Sequence, residues 1–122
     1  MGARVEKAFD YERLDVYQAA IEFVVVADGV VEGLPRGRAY LADQLQRAAT
    51  SITFNIAEGA GERSPADKAR LYRFACRSAT ECAAILDVCQ RLALADQARL
   101  VDGRALLVRV VQMLVRLAQS LE

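Results

Sequence analysis

The sequence predicts an all-α fold, an antiparallel up-down four-helix bundle, on three observations. Apolar residues make up 54% of the chain against 26% charged, and two prolines and seven glycines are few enough to favour a folded, helix-rich domain over disorder. Four segments carry apolar residues at the three- and four-residue spacing of one helix face. Stop and start signals lie between them with room only for short connections, so consecutive helices run antiparallel. A chain of 122 residues gives one core and one domain, residues 1–122.

The first ten or so residues read as a polar arm ending in Phe9 and Tyr11, two aromatics placed to fold back on the body. Asp15 is the expected N-cap of a first helix running to Glu32, with Val16, Ala19, Ala20, Phe23, Ala27 and Val30 in its apolar stripe. Gly33 and Pro35 stop it. The second helix is expected from Arg38 to Glu58, and Gly59–Gly61 reads as the turn that follows. Ser64-Pro65-Ala66-Asp67 then supplies an N-cap, a proline at the first helical position and an acidic third residue. The third helix runs on to Ala93 with an apolar face that includes Leu71, Phe74, Ser78, Cys82, Ile85 and Leu92. The fourth, Asp96 to Leu121, has Gly103 as its weak point. Its apolar residues spread over about 200° of the wheel, where a surface helix needs roughly 100°. The surplus predicts a partner subunit, and so a homo-oligomer.

Sixteen Lys and Arg balance sixteen Asp and Glu, which argues against an indiscriminate polyanion binder. The distribution is uneven: residues 1–33 hold three basic and seven acidic groups, leaving thirteen basic and nine acidic in the rest. Of the three cysteines, Cys82 and Cys89 share one side of the third helix but lie about 10 Å apart along it, too far for a disulfide. With no histidine and no C-x-x-C pair, no metal or cofactor is expected, and the thiols read as small buried hydrophobes in a reducing cytoplasm. The N-terminal residues lack an apolar signal core, and Val24–Val31 is too short and contains Asp28, so no membrane partner is expected. The absence of histidine, of an isolated acid pair and of a phosphate-cradling loop after a strand argues against an enzyme.

Two sets of residues are candidates for function. Gln44, Arg47, Ser51, Asn55 and Glu58 fall within one arc of roughly 80° on the second helix, opposite an apolar arc of Leu41, Leu45, Ala48, Ile52 and Ile56. Together with Arg63 and Glu81 they form either a polar network or interface, satisfying one another within or between subunits, or a binding site for RNA or a small anion beside Gly59–Arg63. Arg70, Arg73 and Arg77 share one face of the third helix at the spacing that tracks phosphates. The alternative there is a salt-bridged face, with Asp67, Glu81 and Asp87 close by and Tyr72 the nearest aromatic for stacking.

The stretch "QLQRAATSITFNIAEGAGERSPADKARLYRFACRSATECAAIL" resembles the signature of a bacterial four-helix bundle family. That family includes proteins encoded by intervening sequences inside large-subunit ribosomal RNA genes, and the related accessory variability determinant of diversity-generating retroelements. "FDYERLDVYQAA" resembles its approach to helix one and "LPRGRAYLADQLQRAATSITFNIAEG" its second helix. Gln44, Arg47, Ala48, Ala49, Ser51 and Ile52, then Asn55-Ile56-Ala57-Glu58-Gly59 and Arg63, carry the match. The chain departs from the pattern at Arg38, at Gly61-Glu62-Arg63 and at Arg77-Ser78, where a bulky cation replaces a glycine that lets helices approach. The resemblance implies a non-enzymatic bundle that forms a homo-oligomer, with pentameric barrels the associated form. It implies two roles: a scaffold or adaptor for a protein partner such as a reverse transcriptase, or an accessory protein binding RNA or DNA. A neutral chain is expected to bind nucleic acid weakly.

Overall fold

The computed structural model describes residues 9–122, and the expected polar arm before Phe9 lies outside the described residues. A short 3-10 helix, Asp10–Arg13, leads into four α-helices: α1 Asp15–Gly33, α2 Ala39–Gly61, α3 Pro65–Arg91 and α4 Gln97–Gln119. Each helix packs on two neighbours, in the cycle α1–α2–α3–α4–α1, and the diagonal pairs do not meet. The helices therefore stand at the corners of a square and enclose one core. That core contains Phe23, Leu45, Ile52, Ile56, Leu107 and Leu114, all nearly or fully buried. Among the described residues no helix is long and apolar enough to cross a membrane.

α1 contains five valines between positions 24 and 31, β-branched residues that lose rotamer freedom in a helix. Its helicity thus depends on burial of Val16, Ala20, Phe23, Ala27 and Val30 against α2 and α4. The aromatics before it do fold back: Tyr11 stacks on Phe9 at 5.7 Å and meets Tyr17 at 4.4 Å. Asp15 is the first helical residue rather than the cap, and Leu14 takes the cap position with no side-chain bond. In that first turn the carboxylate still complements the helix dipole.

Ser64 caps α3 as expected, its Oγ accepting from the Asp67 N–H at 3.3 Å. The far end of α3 closes two residues earlier than expected. Leu94 N–H donates to the Cys89 carbonyl at 2.9 Å and Ala93 N–H to that of Gln90 at 3.1 Å, with Ala93 at φ 53°. This is the Schellman arrangement, with alanine in the left-handed position where glycine is preferred.

The expected turn at Gly59–Gly61 is a correction. α2 continues helically through Gly61, and the chain breaks over residues 62–64 instead. Two features replace the turn. The Lys68 ammonium donates to the carbonyls of Gly59 and Ala60, each at 2.9 Å, so α3 satisfies the end of α2. A Cβ on Gly59 would lie 2.8 Å from the Tyr72 ring, so the glycine is there for helix contact. The positive-φ glycine among the described residues is Gly37, in the α1–α2 connection.

Candidate functional site

The polar arc of α2 meets α3 in a cleft lined by Ser51, Asn55, Phe74, Arg77, Ser78 and Glu81. Its centre is a compact hydrogen-bonded cluster. Ser51 and Ser78 hydroxyls lie 2.9 Å apart, and Asn55 Nδ2 donates to the Ser51 carbonyl at 2.9 Å and to its Oγ at 3.1 Å. Hydroxyls and one amide can satisfy one another here because the residues are half-buried and uncharged. Ser78, assigned to the apolar face by its spacing, is the α3 member of this cluster. Its neighbour Arg77 points outward, so the cation at that departure from the family pattern changes the surface and leaves the helix contact to Ser78.

The structure distributes the remaining residues of the row around this cluster. Gln44, Arg47 and Glu58 are exposed on α2, Arg63 is exposed in the α2–α3 connection, and Glu81 sits at the cleft rim. No ion pair joins Arg47, Glu58, Arg63 or Glu81 to one another among the described residues, whereas Arg70 pairs with Asp67 and Arg104 with Asp87. Arg47 lies midway between Tyr40 and Phe54, seven residues from each, and both rings are more than half exposed. The seven-residue step from each ring to Arg47 is visible in the sequence, yet an aromatic in a helix reads as core by default.

On α3, the arginine face is organised by a residue that periodicity assigns to the core. Phe74 is 37% exposed, with the Arg70 guanidinium carbon 5.6 Å and that of Arg77 6.0 Å from its ring centre. Arg73 is exposed beside them. Tyr72, the aromatic expected to stand near this face, is buried against Gly59 instead. Burial pushes the Cys76 and Cys89 thiols up, and burial together with Glu81 pushes Cys82 up to about 12, so all three are protonated and poorly nucleophilic at neutral pH.

A second surface lies on α4. Leu107, Val110 and Leu114 face the core, while Val101, Val108 and Val115 face outward at 57%, 45% and 42% exposure. Their seven-residue spacing makes them one ridge along the helix, the part of its wide apolar arc that the core does not use. Arg104 flanks the ridge on the α3 side, where it meets Asp87 at 3.4 Å. Arg109 flanks it on the α1 side, lining a groove with Glu22, Val25 and Asp102.

Residues 12–116 match the family described as 23S rRNA-intervening sequence protein. The chain belongs to that family. A solved structure of a protein of unknown function from the S23 ribosomal protein family of Bacteroides thetaiotaomicron has the same fold. It superposes with a TM-score of 0.76 at 21% identity, covering 83% of this chain and 95% of that one. No protein of curated function matches the chain significantly. The expectation drawn from the α2 signature is thus met for family and fold.

Proposed function

We propose that this family member is a non-enzymatic cytoplasmic scaffold or adaptor that assembles with copies of itself and presents the assembled surface to a protein partner. The observation that carries this reading is the Val101–Val108–Val115 ridge, three exposed β-branched side chains aligned on a helix whose other face fills the core. An aligned ridge of this kind gains hydrophobic free energy only by meeting another surface. The thiols held protonated and the lack of any histidine favour a structural role over a catalytic one. The family resemblance points to a pentamer as the assembled form and to a reverse transcriptase as the partner class. Light scattering at micromolar concentration is the test: a mass several times 13.4 kDa is expected, and a monodisperse single chain overturns the reading.

One observation favours a second reading, an accessory protein that binds RNA or DNA. Phe74 offers a ring face between Arg70 and Arg77, and arginines beside an exposed aromatic can pair phosphate neutralisation with base stacking. Repetition in an oligomer would multiply that face on a neutral chain. Weak binding that falls steeply between about 50 and 200 mM salt, and is lost when Arg70, Arg73 and Arg77 all become Gln, supports it. Tight binding that survives both would place the contact elsewhere.

A further inference from the structure

The Ser51–Asn55–Ser78 cluster has more hydrogen-bonding capacity than it uses. Asn55 commits its Nδ2 protons to the Ser51 carbonyl and Oγ, and its Oδ1 has no partner among the described residues. Of the two serine hydroxyl protons, one fills the 2.9 Å contact between Ser51 and Ser78 and the other is left over, whichever serine donates. Neither hydroxyl turns back to the carbonyl of the preceding helical turn, as Thr50 does to Gln46 and Thr80 to Cys76. The floor of the cleft therefore offers one O–H donor and one C=O acceptor, side by side, to whatever enters.

The rim adds one charge of each sign. Arg77 and Glu81 stand about one turn apart on α3 and both line the cleft, yet no ion pair joins them among the described residues. Phe74 supplies the reason: the Arg77 guanidinium carbon lies 6.0 Å from the centre of its ring, one turn back along α3 and so away from Glu81. Cation, spare donor, spare acceptor and carboxylate thus surround about 430 Å³ with one aromatic wall.

We propose that this cleft binds a small zwitterion carrying an amide group, the class of free glutamine, asparagine and dipeptides. The carboxylate of such a molecule meets Arg77 and its ammonium meets Glu81, while its amide accepts from the spare hydroxyl and donates to Asn55 Oδ1. A ligand of single charge leaves one rim residue unanswered, and a zwitterion without an amide leaves the floor unanswered, so the full set discriminates against both. Each contact is weak in a cleft open to water, and a ligand of about ten heavy atoms held this way is expected to have a dissociation constant of about 1 mM. The site depends on neither reading above. It shares Arg77 and Phe74 with the nucleic-acid face, and Glu81 separates the two, because a carboxylate attracts an ammonium and repels a phosphate.

Saturation-transfer NMR on the full-length chain is the test, with L-glutamine and glycylglycine as probes. Glutamine holds both charges on one carbon with the amide beyond, and glycylglycine holds its amide between them, so their ratio tells which source of the class the cleft prefers. L-Alanine, which lacks the amide, and propionamide, which lacks the charges, should bind at least about tenfold more weakly than the better probe. Arg77→Gln and Glu81→Gln, both at exposed side chains and checked for parental helix content by circular dichroism, should each weaken that probe about tenfold. Arg73→Gln, outside the cleft, should leave it unchanged. Uridine monophosphate is the counter-probe, which Glu81→Gln should not weaken. No saturation transfer to either amide probe at about 10 mM overturns the proposal. So does alanine binding as tightly as the better probe, or affinity indifferent to Glu81→Gln. Preference for uridine monophosphate over both probes also overturns it and assigns the cleft to the nucleic-acid reading.

Discussion

Gly59 and Gly61 stand two residues apart on α2 and have opposite surroundings. A methyl at Gly59 meets the Tyr72 ring at 2.8 Å and Leu71 Cβ at 3.3 Å, whereas one at Gly61 meets nothing within 4 Å. Tyr72 is 3% exposed and has little room to retreat. Gly59→Ala should therefore cost about 1–3 kcal/mol through overpacking, despite the better helix propensity of alanine. Gly61→Ala should be neutral or stabilise by up to about 0.5 kcal/mol, and urea unfolding of the two variants separates them. Ala93 presents the reverse case. At φ 53° it occupies a conformation that crowds an L side chain, so Ala93→Gly should stabilise by about 0.5–1 kcal/mol with little change in denaturant slope. The sequence marks the two glycines as a turn, which the structure replaces with helix, and passes over Ala93. Gly59 reads as a turn because its reason for being glycine lies thirteen residues on, and Ala93 gives no signal because the helix end is defined by hydrogen bonds to Cys89 and Gln90.

The four helices follow from local signals: apolar spacing sets their faces, Ser64-Pro65 starts α3, and short connections fix the antiparallel order. What spacing leaves open is how one helix finishes another. α2 ends without a glycine cap, and the Lys68 ammonium from the first turns of α3 takes the two carbonyls of Gly59 and Ala60. A cation at a helix C-terminus is favoured by the dipole as well as by the bonds themselves. Lys68→Met keeps the aliphatic stem and removes both bonds. It should cost about 1–2 kcal/mol and raise amide exchange over residues 58–61 before it affects the centre of α2. Uniform loss of protection along the helix would instead mean that Lys68 acts through packing. The polar row of α2 was legible as a row, and its Ser51–Asn55 core as hydrogen-bonding. Its α3 member Ser78 was not, since the wheel of a single helix contains no information about which side chain crosses from the next.

The wide apolar arc of α4 divides, in the folded molecule, into a buried set and an outward set one residue out of register. Leu107 is 2% exposed and Val108 45%. Sequence alone gives both as apolar and cannot sort them, because the dividing line depends on where α1 and α3 sit. The consequence is a sharp contrast between neighbours. Leu107→Glu should abolish cooperative folding, as an unpaired carboxylate cannot be accommodated in that core. Val108→Glu should leave thermal unfolding nearly unchanged while lowering the assembled mass in light scattering. The same outcome for both would remove the distinction between core and ridge.

Residues 13–16 at the start of α1 and Met113, Arg116, Leu117 and Ser120 near the end of α4 line one groove. The closing contact of the square is thus made by the parts of the sequence farthest apart, and no peptide bond enforces it. Chain connectivity and helix adjacency are consequently separable here. A circular permutant that links residue 122 to residue 9 through a few glycines and serines, and opens at the Gly37 turn, should rebuild the same bundle with α2 leading and α1 last. Such a chain exchanges one distant pairing for another, α1 with α4 becoming local and α1 with α2 distant, so by the measure of sequence separation between contacting helices it should fold at nearly the rate of the parent.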